Sequence, residues 1–111
     1  MAEAGFIDDR NARLWRMALN SEFVDVTIVC ADGNVCGHQL VLAQCSKFFQ
    51  KFIRDTEKKT LRPICFCLVQ YRRKVVRAVL EYLYVGKTEI TADISVEFNM
   101  ARAHLQFDII E

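Results

Sequence analysis

Two cysteines separated by one residue are the first feature of the sequence that could do chemistry. Cys65 and Cys67 stand in an apolar run, and on a strand their side chains would share one face. Such a pair could supply half of a zinc site, but no second pair of cysteines or histidines stands at zinc-ligand spacing. Because cysteine is among the residue types most often buried, we expect both thiols in the core and predict no metal site.

The remaining candidates for catalysis combine cysteine with histidine. Cys45 lies seven residues after His38 in one predicted helix, which separates them by about 10 Å, too far for a nucleophile–base hydrogen bond. Cys36 and His38 could share one face of a strand, but no third group is evident to orient the imidazole. His104 falls on the last predicted helix, where we expect a surface or boundary position. The sequence also lacks a glycine-rich phosphate loop and a serine elbow, so it predicts no enzyme and no cofactor.

Composition indicates one globular domain. The chain has 111 residues, of which 52% are apolar and 26% charged, and 15 Lys and Arg stand against 14 Asp and Glu. This length suits one domain, and the apolar fraction is too high for a disordered chain. A formal charge of +1 argues against a dedicated nucleic-acid domain. One proline and four glycines favour long regular elements over a loop-rich fold.

The sequence shows neither a membrane-spanning segment nor a signal peptide. The longest apolar run, residues 64–69, is far shorter than the ~20 residues of a membrane-spanning helix. The first ten residues lack the basic start and apolar stretch of a signal peptide. Five cysteines without an export signal indicate reduced thiols in the nucleus or cytosol. Residues 58–77 contain seven basic and no acidic residues, which we interpret as a solvated face.

Hydrophobic periodicity predicts an α+β domain with a small sheet. Helices are predicted over residues 8–19, 38–45, 47–54, 72–84 and 95–107, and strands over residues 24–31, 35–37, 64–69 and 89–91. Asp8 and Asp9 suit the start of the first helix, Ser46 suits an N-cap, and Gly86 suits a helix stop. The run at 64–69 is apolar on both faces, which is typical of a strand in the interior of a sheet.

The first helix carries an apolar stripe made of Leu14, Trp15, Ala18 and Leu19. A domain of this size buries only about 60–70% of the surface that its unfolded chain exposes. Leaving the stripe in water is unfavourable at roughly 25 cal/mol per Å². We therefore expect a second copy of the chain to cover it, in a closed two-fold dimer. Packing of the stripe inside its own subunit is the alternative.

Four blocks, taken together, resemble the BTB/POZ domain family. Residues 23–28 read Phe-Val-Asp-Val-Thr-Ile and resemble its first core strand. Its His-x-x-Val-Leu-Ala-x-x-Ser-x-Phe-Phe helical pair is matched by His38, Val41, Leu42, Ala43, Ser46, Phe48 and Phe49. Its Leu-Leu-x-Phe-Leu-Tyr-x-Gly element is matched by Val79, Leu80, Tyr82, Leu83, Tyr84 and Gly86, and its closing helix by Ala101, Leu105 and Gln106. The blocks keep the family's order over nearly the whole chain.

The resemblance implies a BTB/POZ fold, a small mixed sheet flanked by helices, with a dimerisation segment over residues 1–22 and a core over residues 23–111. It implies a homodimerisation module, also able to pair with other BTB proteins, within a larger nuclear transcription regulator whose DNA contacts lie outside this chain. It assigns the dimer interface to Leu14, Trp15, Ala18, Leu19 and Leu40.

The resemblance also implies an interface pocket that recruits co-repressors. Asp25, His38 and Gln39 would form this pocket, and Gln39 stands where zinc-finger members of the family carry a basic residue. A charged side chain is thus replaced by an amide at this position.

A second branch of the same family implies a different role. In that branch the domain is a substrate adaptor that binds the cullin scaffold of a ubiquitin ligase. Residues 47–56 and 72–84 would then face the cullin. The side chains assigned to this surface are Phe52, Ile53, Asp55 and Tyr82.

Overall fold

The computed structural model describes the backbone of residues 2–57 and 64–106 and the side chains of residues 9–55 and 64–106. The elements are α1 (Ala2–Leu19), β1 (Val26–Cys30), β2 (Gly33–Gly37), α2 (Gln39–Cys45), α3 (Lys47–Glu57), β3 (Ile64–Leu68), α4 (Arg73–Val85) and α5 (Ser95–Leu105). These helices surround one small mixed sheet, which confirms the predicted α+β class.

The sheet contains the predicted hairpin and one parallel strand. Its strand order is β2-β1-β3. β1 pairs antiparallel with β2 and parallel with β3, so α2 and α3 form the crossover between β2 and β3. At the hairpin turn, Gly33 has a φ of +150°, a conformation open to glycine and strained for other residues. The turn therefore uses the glycine that the sequence offers.

The prediction that residues 64–69 form an interior strand is wrong. Within the described residues β3 lies at the edge of the sheet, and its residues alternate between buried and exposed. Phe66 faces the core, whereas Cys65 and Cys67 are exposed on the opposite face. The expectation that these two thiols pack in the core is therefore also wrong. Because cysteine counts as apolar, residues 64–69 read as apolar on both faces, although exposed and buried side chains alternate along the strand.

Helix α4 lies at the centre of the fold and contacts α1, α2, α5 and β2. Its buried side is the predicted one and includes Val75, Val76, Val79, Leu80 and Leu83. The helix ends where predicted, because Gly86 adopts a φ of +86° and its N–H donates to the carbonyl of Tyr82 at 2.8 Å.

Helix α3 covers the inner face of β3 with aromatic side chains. Phe48, Phe49 and Phe52 surround Phe66 in edge-to-face contacts, with ring centroids 5.4, 5.2 and 4.6 Å away. Ser46 caps this helix as predicted, because its hydroxyl accepts a hydrogen bond from the N–H of Phe49 at 3.2 Å. The first turn of α3 is thereby fixed against the sheet.

Several predicted elements differ from the structure in their bounds, and one predicted strand is absent. Helix α1 begins at Ala2, so Asp9 lies inside it and pairs with Arg13 on an exposed face. Asp8 also lies inside this helix, and its side chain is outside the described residues. Residues 89–91 do not form a strand, and α5 ends at Leu105. The rest of the predicted last helix, residue 107, is outside the described residues. In the described part of the chain, each helix is too short or too polar to span a membrane.

Candidate interaction surface

The apolar stripe of α1 is divided between the core and the surface. Trp15 and Ala18 are buried against the subunit's own core, and the Trp15 ring lies 5.3 Å from the ring of Tyr84. Leu14 is half-buried against the same core, whereas Leu19 is 48% exposed. For Trp15 and Ala18 the intramolecular alternative therefore describes the packing.

Tyr84 connects this helix to the start of α2. Its hydroxyl lies 2.7 Å from the backbone nitrogen of His38 and 2.7 Å from Nδ1 of the same histidine. His38 occupies the N-cap position of α2, but its ring does not cap the helix. Instead Nε2 lies 2.9 Å from the carbonyl oxygen of Glu22 in the loop after α1.

These contacts orient the His38 ring. The carbonyl of Glu22 can only accept, so Nε2 is the donor in that contact. In the neutral ring, Nδ1 then accepts a hydrogen bond from the Tyr84 hydroxyl. The same hydroxyl accepts the backbone N–H of His38, so all its polar contacts are satisfied. Burial raises the pKa of Tyr84 well above its ordinary value of 10.0. The phenol is therefore a neutral structural link.

The three residues predicted as an interface pocket lie together. The Asp25 carboxylate accepts the backbone N–H of Gln39 at 2.6 Å, and the Gln39 side-chain amide donates to the Asp25 carbonyl at 2.8 Å. His38 is the adjacent residue, bound to Glu22 and Tyr84. The backbone N–H of Gln39 at the start of α2 thus lowers the cost of leaving this carboxylate half-buried.

Three exposed apolar side chains stand on the elements that this network joins, and we call Leu19, Phe23 and Leu40 the apolar corner. Phe23 is 84% exposed and Leu40 is 74% exposed. Phe23 has a φ of +58° and is flanked by two residues, Glu22 and Asp25, whose hydrogen bonds reach the start of α2. Those bonds hold the segment carrying Phe23 next to the helical turn carrying Leu40. Sequence reasoning missed Phe23, because it read the residue as the start of a strand block.

Leu40 is followed in α2 by two further apolar residues, Val41 and Leu42. Only Leu42 is fully buried, and Val41 is half-buried. Leu40 points to solvent from the first turn of α2, and its place in a dimer interface stays a prediction.

The residues predicted to face a cullin differ in how much of their side chains is exposed. Asp55 is exposed, and Phe52 and Tyr82 are half-buried. Ile53 is only 5% exposed and belongs to the core, so its assignment to a docking surface is wrong. The periodicity that placed Ile53 on an apolar face of α3 marks the side that packs inward.

In its described part, the basic run of residues 58–77 lies mostly at the surface, and two of its side chains form ion pairs with acidic residues. Arg72 pairs with Glu97 at 2.8 Å and with Asp93 at 3.6 Å, and Lys74 pairs with Asp93. Lys58, Lys59 and Arg62 lie outside the described residues. The exposed positions of α4 thus agree with the interpretation as a solvated face.

The cysteine and histidine candidates are engaged in structural contacts. The thiol of Cys45 donates to the carbonyl of Leu83 at 3.5 Å, and burial raises its pKa. Burial and the nearby Asp32 carboxylate also raise the pKa of Cys30. A reactive thiol needs a lowered pKa, so both environments work against nucleophilic chemistry. The ring of His104 packs edge-on against Phe48 at 5.2 Å.

Comparison with known proteins gives one consistent family. The family model described as the BTB/POZ domain matches residues 14–110. Protein jim lovell from Drosophila melanogaster is 37% identical over 67 residues, which are 60% of this chain and 6% of that protein. Kelch repeat and BTB domain-containing protein 3 from Homo sapiens is 32% identical over 88 residues, 79% of this chain and 14% of that protein. Zinc finger and BTB domain-containing protein 14 from Homo sapiens is 31% identical over 88 residues, 75% of this chain and 19% of that protein.

A solved structure with the same fold supports the family match. The BTB domain of zebrafish PATZ1 superposes with a TM-score of 0.77 at 18% identity, covering 96% of this chain and 84% of that one. The chain therefore corresponds to a single domain of its relatives and spans only 6% to 19% of the length of the three curated proteins.

Proposed function

Because the chain belongs to the BTB/POZ family of protein–protein interaction domains, we propose that it is the homodimerisation module of a larger protein. In this proposal residues 1–22 form the dimerisation segment and residues 23–111 form the core. The module has no catalytic role of its own. Pairing with the BTB domains of other proteins would use the same surface.

The observation that carries this proposal is the exposure of the apolar corner. Phe23 and Leu40 leave most of their side-chain surface in water, on a segment fixed by the hydrogen bonds of Glu22 and Asp25. Large exposed apolar groups on a rigid support are typical of interaction sites. A two-fold contact buries the patch of both copies at once, because the same surface faces itself. Leu19, Leu14 and Leu40 from the predicted interface remain in this proposal, and Phe23 joins them.

We propose further that the larger protein is a transcription regulator of the nucleus. The similarity to Zinc finger and BTB domain-containing protein 14 supports this choice. Dimerisation would then link two copies of a nucleic-acid-binding region and increase their avidity. Co-repressor recruitment at Asp25, His38 and Gln39 would rely on hydrogen bonding, since Gln39 carries no charge and its backbone N–H already holds Asp25.

A substrate adaptor of a ubiquitin ligase is the second candidate. The similarity to Kelch repeat and BTB domain-containing protein 3 favours it. Phe52, Asp55 and Tyr82 remain the proposed contacts to a cullin, without Ile53. Stoichiometric capture of the chain by a cullin N-terminal domain would favour the adaptor, and an Asp55→Arg variant that abolishes capture would assign the surface.

The homodimer proposal is tested by placing a charge in the apolar corner. Leu40→Asp should convert the dimer to a monomer in light scattering, because a desolvated carboxylate without a partner is costly. Since Leu40 is exposed within the subunit, the folded monomer should keep its circular dichroism spectrum.

The matched control is Val96→Asp on α5. Val96 is 71% exposed, close to the exposure of Leu40, and lies outside the apolar corner. It should leave the molecular mass unchanged. An unchanged mass in Leu40→Asp, or equal dissociation in both variants, would reject the proposed interface.

A further inference from the structure

A small cleft lies between the end of α1, strand β2 and the first half of α4. Its volume is about 120 Å³. Trp15, Ala18 and Val35, which are all buried, form its apolar floor. Arg73 and Arg77 also line it and are exposed, so their side chains form a basic rim. The cleft combines an apolar base with two cations.

The position of the Arg73 side chain depends on the turn between β1 and β2. A Cβ atom placed on Gly33 would lie only 2.6 Å from Cδ of Arg73, so the glycine leaves the space that this side chain occupies. The backbone N–H of Arg73 donates to the Asp32 carboxylate at 2.6 Å, which fixes the start of α4 against the same turn. Two contacts of the hairpin therefore position Arg73 at the cleft.

The two arginines of the cleft differ from the other basic residues nearby. Arg72 and Lys74 form ion pairs with Asp93 and Glu97. Among the described residues, no carboxylate lies within ion-pair distance of the guanidinium of Arg73 or Arg77. The two residues are four apart on one helix, so both groups project from the same side. The acidic group beside them, Asp32, is engaged by the backbone of α4.

We propose that this cleft is a docking site for a carboxylate side chain in an acidic, aliphatic segment of a partner protein. Two guanidinium groups match the geometry of a carboxylate, which they can bind through paired N–H donors. The apolar floor would accept the methylene groups of that side chain or its aliphatic neighbour. The cleft shares Leu19 with the apolar corner, but Arg73 and Arg77 lie outside that corner, and the inference does not rest on the proposed function.

The size and charge of the cleft select this ligand. Sites for small molecules and cofactors usually enclose about 300–1,000 Å³, whereas this cleft has room for one side chain. A nucleic-acid surface needs a broad excess of positive charge, but Arg72 and Lys74 are already neutralised by ion pairs. The net charge of +1 also disfavours a polyanion.

The test uses a minimal carboxylate probe and its uncharged counterpart. The 111-residue chain, labelled with ¹⁵N, is titrated with N-acetyl-leucyl-glutamate amide and with N-acetyl-leucyl-glutamine amide. Saturable shifts of the Trp15 indole and the Arg73 and Arg77 Nε signals are expected with the glutamate probe. The glutamine probe should bind at least about tenfold more weakly, because it lacks the charge-assisted hydrogen bonds. Equal binding of the two probes would overturn the proposal.

Arginine variants locate the binding. Arg73→Gln and Arg77→Gln should each weaken glutamate-probe binding about tenfold. Arg54→Gln, which removes an exposed arginine of α3 outside the cleft, should change it less than about twofold. Binding that survives both cleft variants would overturn the proposal. So would tighter saturable binding of inorganic phosphate at the same guanidinium groups, because it would assign a phosphate site.

A mass measurement separates this site from self-association. Leu19 belongs to the apolar corner and also lines the cleft. The double variant Arg73→Gln/Arg77→Gln should keep the mass of the unaltered chain in light scattering. A change of mass would show that a second copy occupies the cleft and would contradict docking of a different partner. Because this readout is independent of the Leu40→Asp result, failure of one proposal leaves the other testable.

Discussion

The hydroxyl of Tyr84 and the Nδ1 atom of His38 lie 2.7 Å apart, although 46 residues separate them in the chain. The same hydroxyl receives the backbone N–H of His38, and the opposite ring nitrogen reaches the carbonyl of Glu22. One phenol thus ties together the end of α4, the start of α2 and the loop after α1. The apolar corner is built on that loop and that helix start, so its rigidity depends on this contact.

Removing the Tyr84 hydroxyl should destabilise the fold. Tyr84→Phe keeps the aromatic ring against Trp15 but leaves both the N–H and Nδ1 of His38 without their partner. The expected loss in the free energy of unfolding is about 1–3 kcal/mol, measured by urea denaturation at neutral pH. Tyr71→Phe is the control, since the Tyr71 ring is buried and its hydroxyl makes no hydrogen bond to another described residue. Equal losses in the two variants would contradict a specific role of Tyr84.

Stability should fall at alkaline pH partly because of Tyr84. Burial raises its pKa in the folded chain above the ordinary value of 10.0. The folded state therefore holds the phenolic proton more tightly than the unfolded state. This contribution is complete below pH 10 and is lost as the pH rises toward the folded-state pKa.

Unfolding by urea at a series of pH values from 8 to 11 measures this linkage. The unaltered chain should lose stability more steeply above pH about 10 than Tyr84→Phe does. The Cys30 and Cys45 thiols, whose pKa values are also raised, affect both proteins alike. Parallel curves over the whole range would contradict the assignment to Tyr84.

Ser46 should contribute strongly to the stability of the fold, although its side chain is small. Its hydroxyl donates to the carbonyl of Leu105 at 2.5 Å and accepts the N–H of Phe49 at 3.2 Å, and the side chain is 1% exposed. Ser46→Ala should therefore cost about 1–3 kcal/mol in thermal or urea unfolding, since it removes a helix cap and a buried hydrogen bond. Ser95→Ala, at the half-buried first residue of α5, should cost under about 0.5 kcal/mol. A cost for Ser46→Ala as small as that of Ser95→Ala would argue against the link between α3 and α5.

Trp15 should act on the stability of the subunit, not on its assembly. The assignment of Trp15 to the dimer interface would instead predict that a substitution there separates the dimer. Because Trp15 is buried against Tyr84, Trp15→Ala should instead lower the free energy of unfolding by about 3–5 kcal/mol. Val96→Ala, an exposed control outside the apolar corner, should change it by less than about 0.5 kcal/mol. Dissociation by Trp15→Ala without loss of unfolding free energy would restore the original interpretation.

Much of the fold could be predicted because local signals agree with the tertiary structure. The apolar side of α4 follows a helical period, and Gly86 ends that helix. Ser46 caps α3 because its hydroxyl competes for the free N–H groups of a helix start. The family blocks then identified the fold, since their order along the chain restricts the topology.

The remaining features depend on contacts between distant residues. Periodicity marks the apolar side of α1, but it does not say that Tyr84 covers Trp15. Residues 64–69 carry no polar side chain that would reveal the exposed face of an edge strand. The exposure of Phe23 follows from a left-handed backbone conformation in a short loop, for which the sequence offers no glycine as a signal.

Sedimentation equilibrium of the unaltered 111-residue chain tests the central claim most directly, namely that a second copy covers the apolar corner. Measured from low to high micromolar concentration under reducing conditions, the chain should sediment with twice its monomer mass of 12.9 kDa. Reducing conditions exclude a disulfide through the exposed Cys65 and Cys67. A folded chain that keeps the mass of a single copy at high micromolar concentration would contradict the account.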